Sequence, residues 1–257
     1  MRRLKNIGLK VLPFTFFLAF LLIWQMCAQI DAFEKEILSS PLEIWFTSLA
    51  IFPDIKEHIW ITLKEALIGI FLSIGMAYSV ALFMDRFEVL KKVLYPSILV
   101  SQNIPIIALA PLFTLWFGFG IVPKIIVVVL VCFFPILISL IEGLRSVDED
   151  LIHLFKTMGA NSAKIYRYVK LPASLPYFFS GLKIAITYSI MGAVIAEWLG
   201  GSGGLGIYML RVKHQYSYSK VYAVTFILVI LCLILYYIVD FLHRKFEPWK
   251  KFEETGA

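Results

Sequence analysis

Charged residues are scarce in this chain. Only 16% of its 257 residues are Asp, Glu, Lys or Arg, while 60% are hydrophobic and the mean hydropathy is +0.83. An ordinary soluble domain is about 45–50% apolar and about 25% charged. The shortage of charge therefore excludes a soluble protein of ordinary composition, and little sequence is left over for a soluble domain.

Cysteine is almost absent as well. The three cysteines are Cys27, Cys132 and Cys232; they lie in apolar runs and show no CxxC or Cys/His spacing. An odd number without such spacing excludes a disulfide framework and a zinc site. The net charge is +6, but the chain lacks the basic face that nucleic-acid binding requires.

Long apolar runs are what the chain has in abundance. Runs of about 20 residues, the length that crosses a bilayer as a helix, occur at 11–30, 58–84, 93–117, 122–144, 174–199 and 221–242. They predict an all-α, polytopic membrane protein with about six transmembrane helices. The first run follows several basic residues and could instead be a secretory signal, but its length and the lack of a clean cleavage site favour a retained span.

Lys and Arg are unevenly distributed between the predicted loops. If the N-terminus lies inside, most of the 24 Lys and Arg residues fall in cytoplasmic segments, which preferentially retain positive charge. Both termini are therefore predicted to be cytoplasmic. Outside, residues 33–52 mix charged and apolar side chains, which predicts a helix at the outer membrane interface or, alternatively, a soluble loop. Pro41 and Pro53 mark places where a helix commonly begins or ends.

The predicted spans divide the chain into three parts. Residues 1–57 hold the N-terminal span and the external interfacial segment, residues 58–242 form a core domain, and residues 243–257 form a cytoplasmic tail. Two core spans have distinctive compositions. The third predicts a broken or kinked helix because it contains three prolines, which are Pro96, Pro105 and Pro111. The fifth predicts close helix packing because it is rich in small residues, which are Gly181, Ala185, Ser189, Gly192, Ala193 and Ala196.

The predicted cytoplasmic loop over residues 148–172 has a distinctive composition. Its acidic start suits the positive end of a helix, and Gly159 is the residue type that commonly ends one. A second short helix is predicted over Ser162–Lys170. Composition alone leaves two interpretations open, which are an amphipathic loop tucked under the bundle and a docking element.

The spacing within this loop resembles a known signature. Gly159, nine residues, Val169, one residue and Leu171-Pro172 are similar to the coupling-loop motif of permease subunits in bacterial binding-protein-dependent ABC importers. That motif reads Glu-Ala-Ala, three residues, Gly, nine residues, Ile, one residue, Leu-Pro. This chain departs from it by carrying His153-Leu154-Phe155 at the Glu-Ala-Ala positions.

The resemblance extends over about residues 58–242. It includes Asn103-Ile104-Pro105, Ala110-Pro111-Leu112-Phe113, Phe133-Phe134-Pro135, Ala196-Glu197-Trp198-Leu199-Gly200 and Gly204-Leu205-Gly206. Together these segments are similar to the nitrate/sulfonate/taurine branch of such permeases. Within that branch the chain looks most like permeases for pyrimidine precursors of thiamine.

The resemblance implies an ABC type I importer fold in the bacterial cytoplasmic (inner) membrane. It implies cytoplasmic ATPase subunits, an external solute-binding protein and membrane lipid as partners, with two copies of the chain forming the pore as a homodimer. ATP and Mg would bind the ATPase, because the glycine-rich turn at 200–206 lacks the Gly-Lys-Ser/Thr of a Walker sequence. No cofactor, metal site or catalytic residue is expected on this chain.

Two sets of candidate residues follow. For contact with the ATPase they are His153, Leu154, Phe155, Gly159, Ala160, Leu171 and Pro172. For the translocation pathway they are Gln102, Asn103, Tyr188, Ser189 and Glu197. Glu197 has an alternative interpretation as a solvated carboxylate, or one paired with Lys124 or Arg211.

Other functions remain open from the sequence. A secondary transporter could use Glu197 and Lys183 as relays, although it would not need the coupling-loop motif and no inverted repeat is evident. A membrane-embedded enzyme would need facing polar groups, but the four histidines fall at span ends or in loops. For an importer, the solute could be a pyrimidine thiamine precursor, a sulfonate, taurine, nitrate or riboflavin.

Overall fold

The computed structural model describes residues 2–30 and 38–246, the side chains of 2–11 and 14 excepted. The helices are α1 (Arg2–Gln29), α2 (Pro41–Arg86), α3 (Glu88–Ser101), α4 (Ile106–Phe117), α5 (Ile121–Arg145), α6 (Glu149–Thr157), α7 (Ser162–Ile165), a π-helical turn (Tyr166–Lys170), α8 (Leu171–Gly200), α9 (Leu205–His214) and α10 (Tyr218–Phe246). The all-α prediction is confirmed over these residues.

Among the described residues, four helical segments are long and apolar enough to cross a membrane. They are Pro41–Arg86, Ile121–Arg145, Ser162–Gly200 and Tyr218–Phe246. The bent pair α3–α4 makes a fifth if it is one span. The first predicted span falls on α1, where the apolar stretch within the described side chains is the shorter Thr15–Gln29. The prediction of a polytopic helical membrane protein is confirmed.

The third predicted span is broken, as its prolines indicate. The axes of α3 and α4 differ by 99°. Pro105 lies directly before α4, where it has no N–H to donate and disfavours a helical conformation at the preceding residue. The Asn103 side chain donates to the Leu99 carbonyl at 2.7 Å, so part of the polarity exposed at the break is satisfied locally.

The start of α2 differs from the prediction. Pro41 begins the helix, a position where a missing N–H costs nothing, but Pro53 does not end it. The helix continues to Arg86, since one proline removes one backbone hydrogen bond and the surrounding turns hold. Of the helix predicted over residues 33–52, residues 41–52 are helical as the start of α2, residues 38–40 are not helical, and residues 33–37 lie outside the described residues. The predicted tail lies outside them from residue 247.

Two compact units are present. One comprises the chain up to Glu57 together with Tyr208–Val229. Within it, Ser219 donates to Glu43 and the rings of Trp45 and Phe226 meet edge to face. The other comprises His58–Ile207 and the chain from Ile230 onward; it contains every candidate site residue.

In this second unit, α5 and α8 pack closely along their lengths. Gly181 lies so near α5 that a Cβ there would stand 2.7 Å from the Pro135 carbonyl oxygen. Ala185 and Ala193 are fully buried in the same face. The small-residue pattern of the fifth span thus serves close helix packing, as predicted.

Candidate functional site

Helix α6 is built by local capping. The Asp148 carboxylate accepts a hydrogen bond from the Asp150 N–H at 2.9 Å, which satisfies one of the donors left free at a helix N-terminus. Glu149 and Asp150 occupy the first turn and Lys156 the last. At each end of the helix these charges interact favourably with the helix dipole. The acidic start of the loop therefore begins a helix, as the sequence predicted.

Gly159 ends α6 in a left-handed turn. Its φ is +80°, a conformation that favours glycine. The Gly159 N–H donates to the Lys156 carbonyl and the Ala160 N–H to the Phe155 carbonyl, both at 3.0 Å, which is the Schellman arrangement. Asn161 then caps α7 by accepting from the Lys164 N–H at 3.0 Å. Gly159 thus separates α6 from a second helix, as predicted, but that helix does not end at Lys170 and continues into α8. We call Asp148–Pro172 the α6–α7 segment.

The helix that begins at Ser162 continues into α8 without a break. Between α7 and α8 the chain makes a π-helical turn, in which the Leu171 N–H bonds to the Tyr166 carbonyl. Pro172 follows at the start of α8. In an ordinary helix the proline ring would crowd the carbonyl four residues earlier; the wider turn relieves that contact. Leu171 and Pro172 thus set how the segment enters the span.

Apolar side chains of α6 and of Met158, the residue that follows it, are exposed although α6 is not among the apolar spans. Leu154 is 53% exposed and Met158 75%. His153 and Gly159 are also exposed, whereas Phe155, Ala160, Leu171 and Pro172 are half-buried. The seven predicted contact residues therefore lie on one continuous segment, with His153 and Leu154 directed outward.

Asp85 ties this segment to α2, a contact that the sequence did not reveal. The Asp85 carboxylate accepts hydrogen bonds from the Tyr166 hydroxyl and from Lys170 Nζ, the latter at 2.7 Å. The three residues border a cavity of about 390 Å³ that His153 and Lys156 of α6 also line. A local sequence pattern could not have indicated this contact, because Tyr166 and Lys170 lie 81 and 85 residues from Asp85 in the sequence.

Three of the predicted pathway residues share a second cavity. Gln102, Asn103 and Tyr188 line a space of about 600 Å³ at the break between α3 and α4. Apolar side chains complete its wall, among them Phe134 and Met191. None of the described residues that line this cavity is charged.

The other two predicted pathway residues lie elsewhere. Ser189 is fully buried and its hydroxyl donates to the Ile186 carbonyl at 2.8 Å within α8. Glu197 is also fully buried, and its carboxylate accepts from Thr62 Oγ1 at 2.6 Å and from the Gly206 N–H at 2.5 Å. The structure therefore brings neither of them to the cavity. Lys124, considered as a partner of Glu197, pairs with Glu65 at 2.7 Å.

Glu197 belongs to a set of side chains that hold residues 200–206, which we call the glycine turn. His58 Nδ1 accepts from the Gly204 N–H at 3.0 Å, and Thr62 Oγ1 accepts from the Leu205 N–H at 2.8 Å. With the Glu197 bond to Gly206, three successive N–H groups at the start of α9 are satisfied by side chains of α2 and α8. Gly204 has a φ of +117°, and a Cβ there would overlap the Glu197 carboxylate. The turn is therefore tightly packed rather than flexible.

A bundle of apolar helices with a cavity that a few uncharged polar side chains line, and with an exposed helix–glycine–helix segment, is typical of a transmembrane transport subunit. Sequence comparison defines the class further: residues 69–251 match the family described as binding-protein-dependent transport system inner membrane component. The chain belongs to this family.

Individual relatives agree with the family. The formylaminopyrimidine transport permease protein ThiX of Halalkalibacterium halodurans is 36% identical over 93% of this chain and 96% of its own length. The riboflavin transport system permease protein RibX of Chloroflexus aurantiacus is 31% identical over 93% of this chain and 90% of its own. Permeases named for aliphatic sulfonates and taurine also match, which confirms the predicted branch.

The fold agrees as well. A subunit of the MetNI methionine ABC transporter in an inward-facing conformation superimposes with a TM-score of 0.65 at 19% identity, covering 77% of this chain and 98% of that one. The chain is thus a multi-pass inner-membrane permease subunit with an ABC importer fold. It is a transport subunit rather than an enzyme, and ATP hydrolysis belongs to separate subunits.

Proposed function

We propose that this permease imports a pyrimidine precursor of thiamine of the formylaminopyrimidine type. The observation that carries the proposal is the 36% identity to the formylaminopyrimidine permease over nearly the whole of both chains. The relative named for riboflavin is less similar, at 31%.

The chemistry of the cavity supports a neutral aromatic solute. Asn and Gln side chains offer both hydrogen-bond donors and acceptors, which suit the ring nitrogens and amino groups of a pyrimidine. Tyr188 and Phe134 border the same space and provide aromatic surfaces for stacking. A sulfonate, taurine or nitrate would instead favour a cation in the wall, and no charged side chain lines this cavity among the described residues.

The pathway proposal accordingly centres on Gln102, Asn103 and Tyr188. Ser189 and Glu197 are assigned to packing around the pathway, because both are buried and hydrogen-bonded away from the cavity. In a homodimer, two such cavities would face a common route between the subunits.

The α6–α7 segment is proposed to be cytoplasmic and to seat in a groove of an ATPase subunit. Exposed Leu154 and Met158 would supply the apolar contact that a protein interface needs, with His153 beside them. Gly159 and Ala160 would set the angle between the two limbs, and Leu171 and Pro172 would carry motion into α8. An external solute-binding protein would deliver the solute, and both termini would lie in the cytoplasm. ATP and Mg would bind the ATPase.

Transport in proteoliposomes tests the proposal. Vesicles would contain the permease with its ATPase, and the binding protein would be added outside with radiolabelled formylaminopyrimidine. We expect ATP-dependent uptake that excess unlabelled pyrimidine suppresses and that excess taurine or riboflavin does not. Uptake of labelled riboflavin or taurine in place of the pyrimidine would contradict the proposed solute.

Variants of the cavity residues test whether the solute passes through this cavity. Gln102→Ala and Asn103→Ala should each lower the apparent affinity about threefold to tenfold, the worth of one neutral hydrogen bond. Gln215→Ala is the matched control, since Gln215 is exposed and does not line the cavity. Equal effects of all three substitutions would argue against a pathway at this cavity.

A further inference from the structure

The contact of Asp85 with the α6–α7 segment joins the end of α2 to the π-helical turn, beside the cavity of about 390 Å³ that both elements line. Asp85 is the penultimate residue of α2. Its carboxylate binds the Tyr166 hydroxyl and Lys170 Nζ, both from the π-helical turn. The Asp85 and Lys170 side chains are only 11% and 18% exposed, so the pair is shielded from water more than an ordinary surface ion pair.

The spacing of Tyr166 and Lys170 explains why both donors reach one carboxylate. Side chains four residues apart lie on the same face of a helical turn. Tyr166 and Lys170 therefore present their polar ends on the same side, toward Asp85. Pro172 favours the π-helical turn, and that turn carries Tyr166 and Lys170. The Leu171-Pro172 end of the segment therefore helps to position the two donors.

Several cations lie near the Asp85 carboxylate. Lys91 of α3 interacts electrostatically with the cations Arg145 and Lys170 and with the carboxylates Asp85 and Glu88. Asp85 thus lies among cations from α3, from the end of α5 and from the π-helical turn. Without its charge, the repulsion between those cations would be offset less at the place where the segment meets the spans.

We propose that Asp85 is a positioning residue for transport, which holds the α6–α7 segment to α2 through Tyr166 and Lys170 so that displacement of the segment moves α2. The inference rests on the proposed seating of this segment on an ATPase, but not on the identity of the solute. It assigns α2 a direct connection to the segment in addition to the covalent connections through α5 and α8.

The chain offers a matched control. Lys183 and Asp240 form an ion pair of nearly the same length, 2.6 Å, with side-chain exposures of 19% and 17%. This pair joins α8 to α10 and does not contact the α6–α7 segment. Asp240→Asn therefore removes a comparable charge, whereas Asp85→Asn removes the one proposed to transmit motion.

The test follows motion at the cavity without any solute. The permease, with Cys27, Cys132 and Cys232 replaced by alanine and Gln102→Cys introduced, is assembled with its ATPase in nanodiscs. The rate of maleimide labelling at position 102 is compared with and without Mg-ATP and vanadate. In this background we expect Mg-ATP with vanadate to change the labelling rate at position 102 about fivefold or more, which is the lower end of typical coupling between two sites.

Adding Asp85→Asn should abolish that change, while the ATPase still co-purifies and the melting temperature matches that of Asp240→Asn. Tyr166→Phe, which keeps the ion pair, should reduce the change partly and provides the test if Asp85→Asn does not fold. Asp240→Asn should leave the change intact.

Three results in the variants would overturn the inference. They are an unchanged response in Asp85→Asn and Tyr166→Phe, an equal loss in Asp240→Asn, and loss of the bound ATPase in Asp85→Asn. A parent complex that ignores ATP and vanadate would overturn the coupling role and the inference together. Failure of pyrimidine uptake alone would affect only the proposed solute, because no solute is present in this assay.

Discussion

The two ends of α8 lead into regions of opposite character. Before α8, the α6–α7 segment exposes His153, Leu154 and Met158 and is capped mainly by its own side chains. After α8, the glycine turn is enclosed, and its N–H groups are bound by His58, Thr62 and Glu197 from other helices. The first region leaves apolar side chains exposed, whereas the second is enclosed by side chains of the same chain.

The same substitution in both regions should give the largest contrast. Gly204→Ala forces a side chain to a φ of +117° and into the Glu197 carboxylate. Backbone strain of about 1–2 kcal/mol and overpacking of about 1–3 kcal/mol should sharply reduce folded protein. Gly159→Ala, at a φ of +80° with open space around the added Cβ, should cost only the strain. Thermal unfolding in detergent measures both, and equal losses would show that the glycine turn is less constrained than described.

Removing the Glu197 carboxylate should have the next largest effect. Glu197→Ala leaves the buried Gly206 N–H without its acceptor, at a cost of about 1–3 kcal/mol. Glu197→Gln should lower stability less. The new amide oxygen can accept from the Gly206 N–H, and the NH2 group can donate to the Thr62 hydroxyl oxygen. The Thr62 hydroxyl can then donate to the His58 carbonyl, which lies 3.1 Å away. Thermal unfolding of the purified variants compares the two.

Glu142→Ala is the control for this comparison. Glu142 is exposed on α5, so its replacement should change stability by less than about 0.5 kcal/mol. If Glu197→Gln were as damaging as Glu197→Ala, the negative charge itself, and not the hydrogen bonding, would hold the turn.

Local features of the fold could be predicted from the sequence. Apolar runs gave the spans, Gly159 gave the end of α6, and the prolines gave the break before α4, because each acts on backbone within a few residues. Pro53 was predicted to mark a helix end and does not, since one missing hydrogen bond in a long helix is tolerated.

Contacts between distant residues could not be predicted. Glu197 is a glutamate beside a predicted outer loop in the sequence, but Thr62, its partner, lies 135 residues away. The Asp85 contact with Lys170 likewise depends on how α2 and the π-helical turn pack. Neither pairing has a local pattern, so a polar residue near a span could be assigned to a pathway or to packing only from the structure.

The central claim is that the α6–α7 segment binds in a groove of an ATPase subunit. The variant that tests this claim most directly should also change stability the least. Leu154→Glu places a charge on a side chain that is 53% exposed, so the melting temperature should hardly move. Ser202→Glu adds the same charge at an exposed position of the glycine turn and is the control.

The decisive measurement is the amount of ATPase retained per permease after affinity purification of the assembled complex. The account predicts that Leu154→Glu lowers it about tenfold or more, as loss of a central interface contact does, and that Ser202→Glu retains the wild-type amount. Full retention of the ATPase by a folded Leu154→Glu permease would contradict the account.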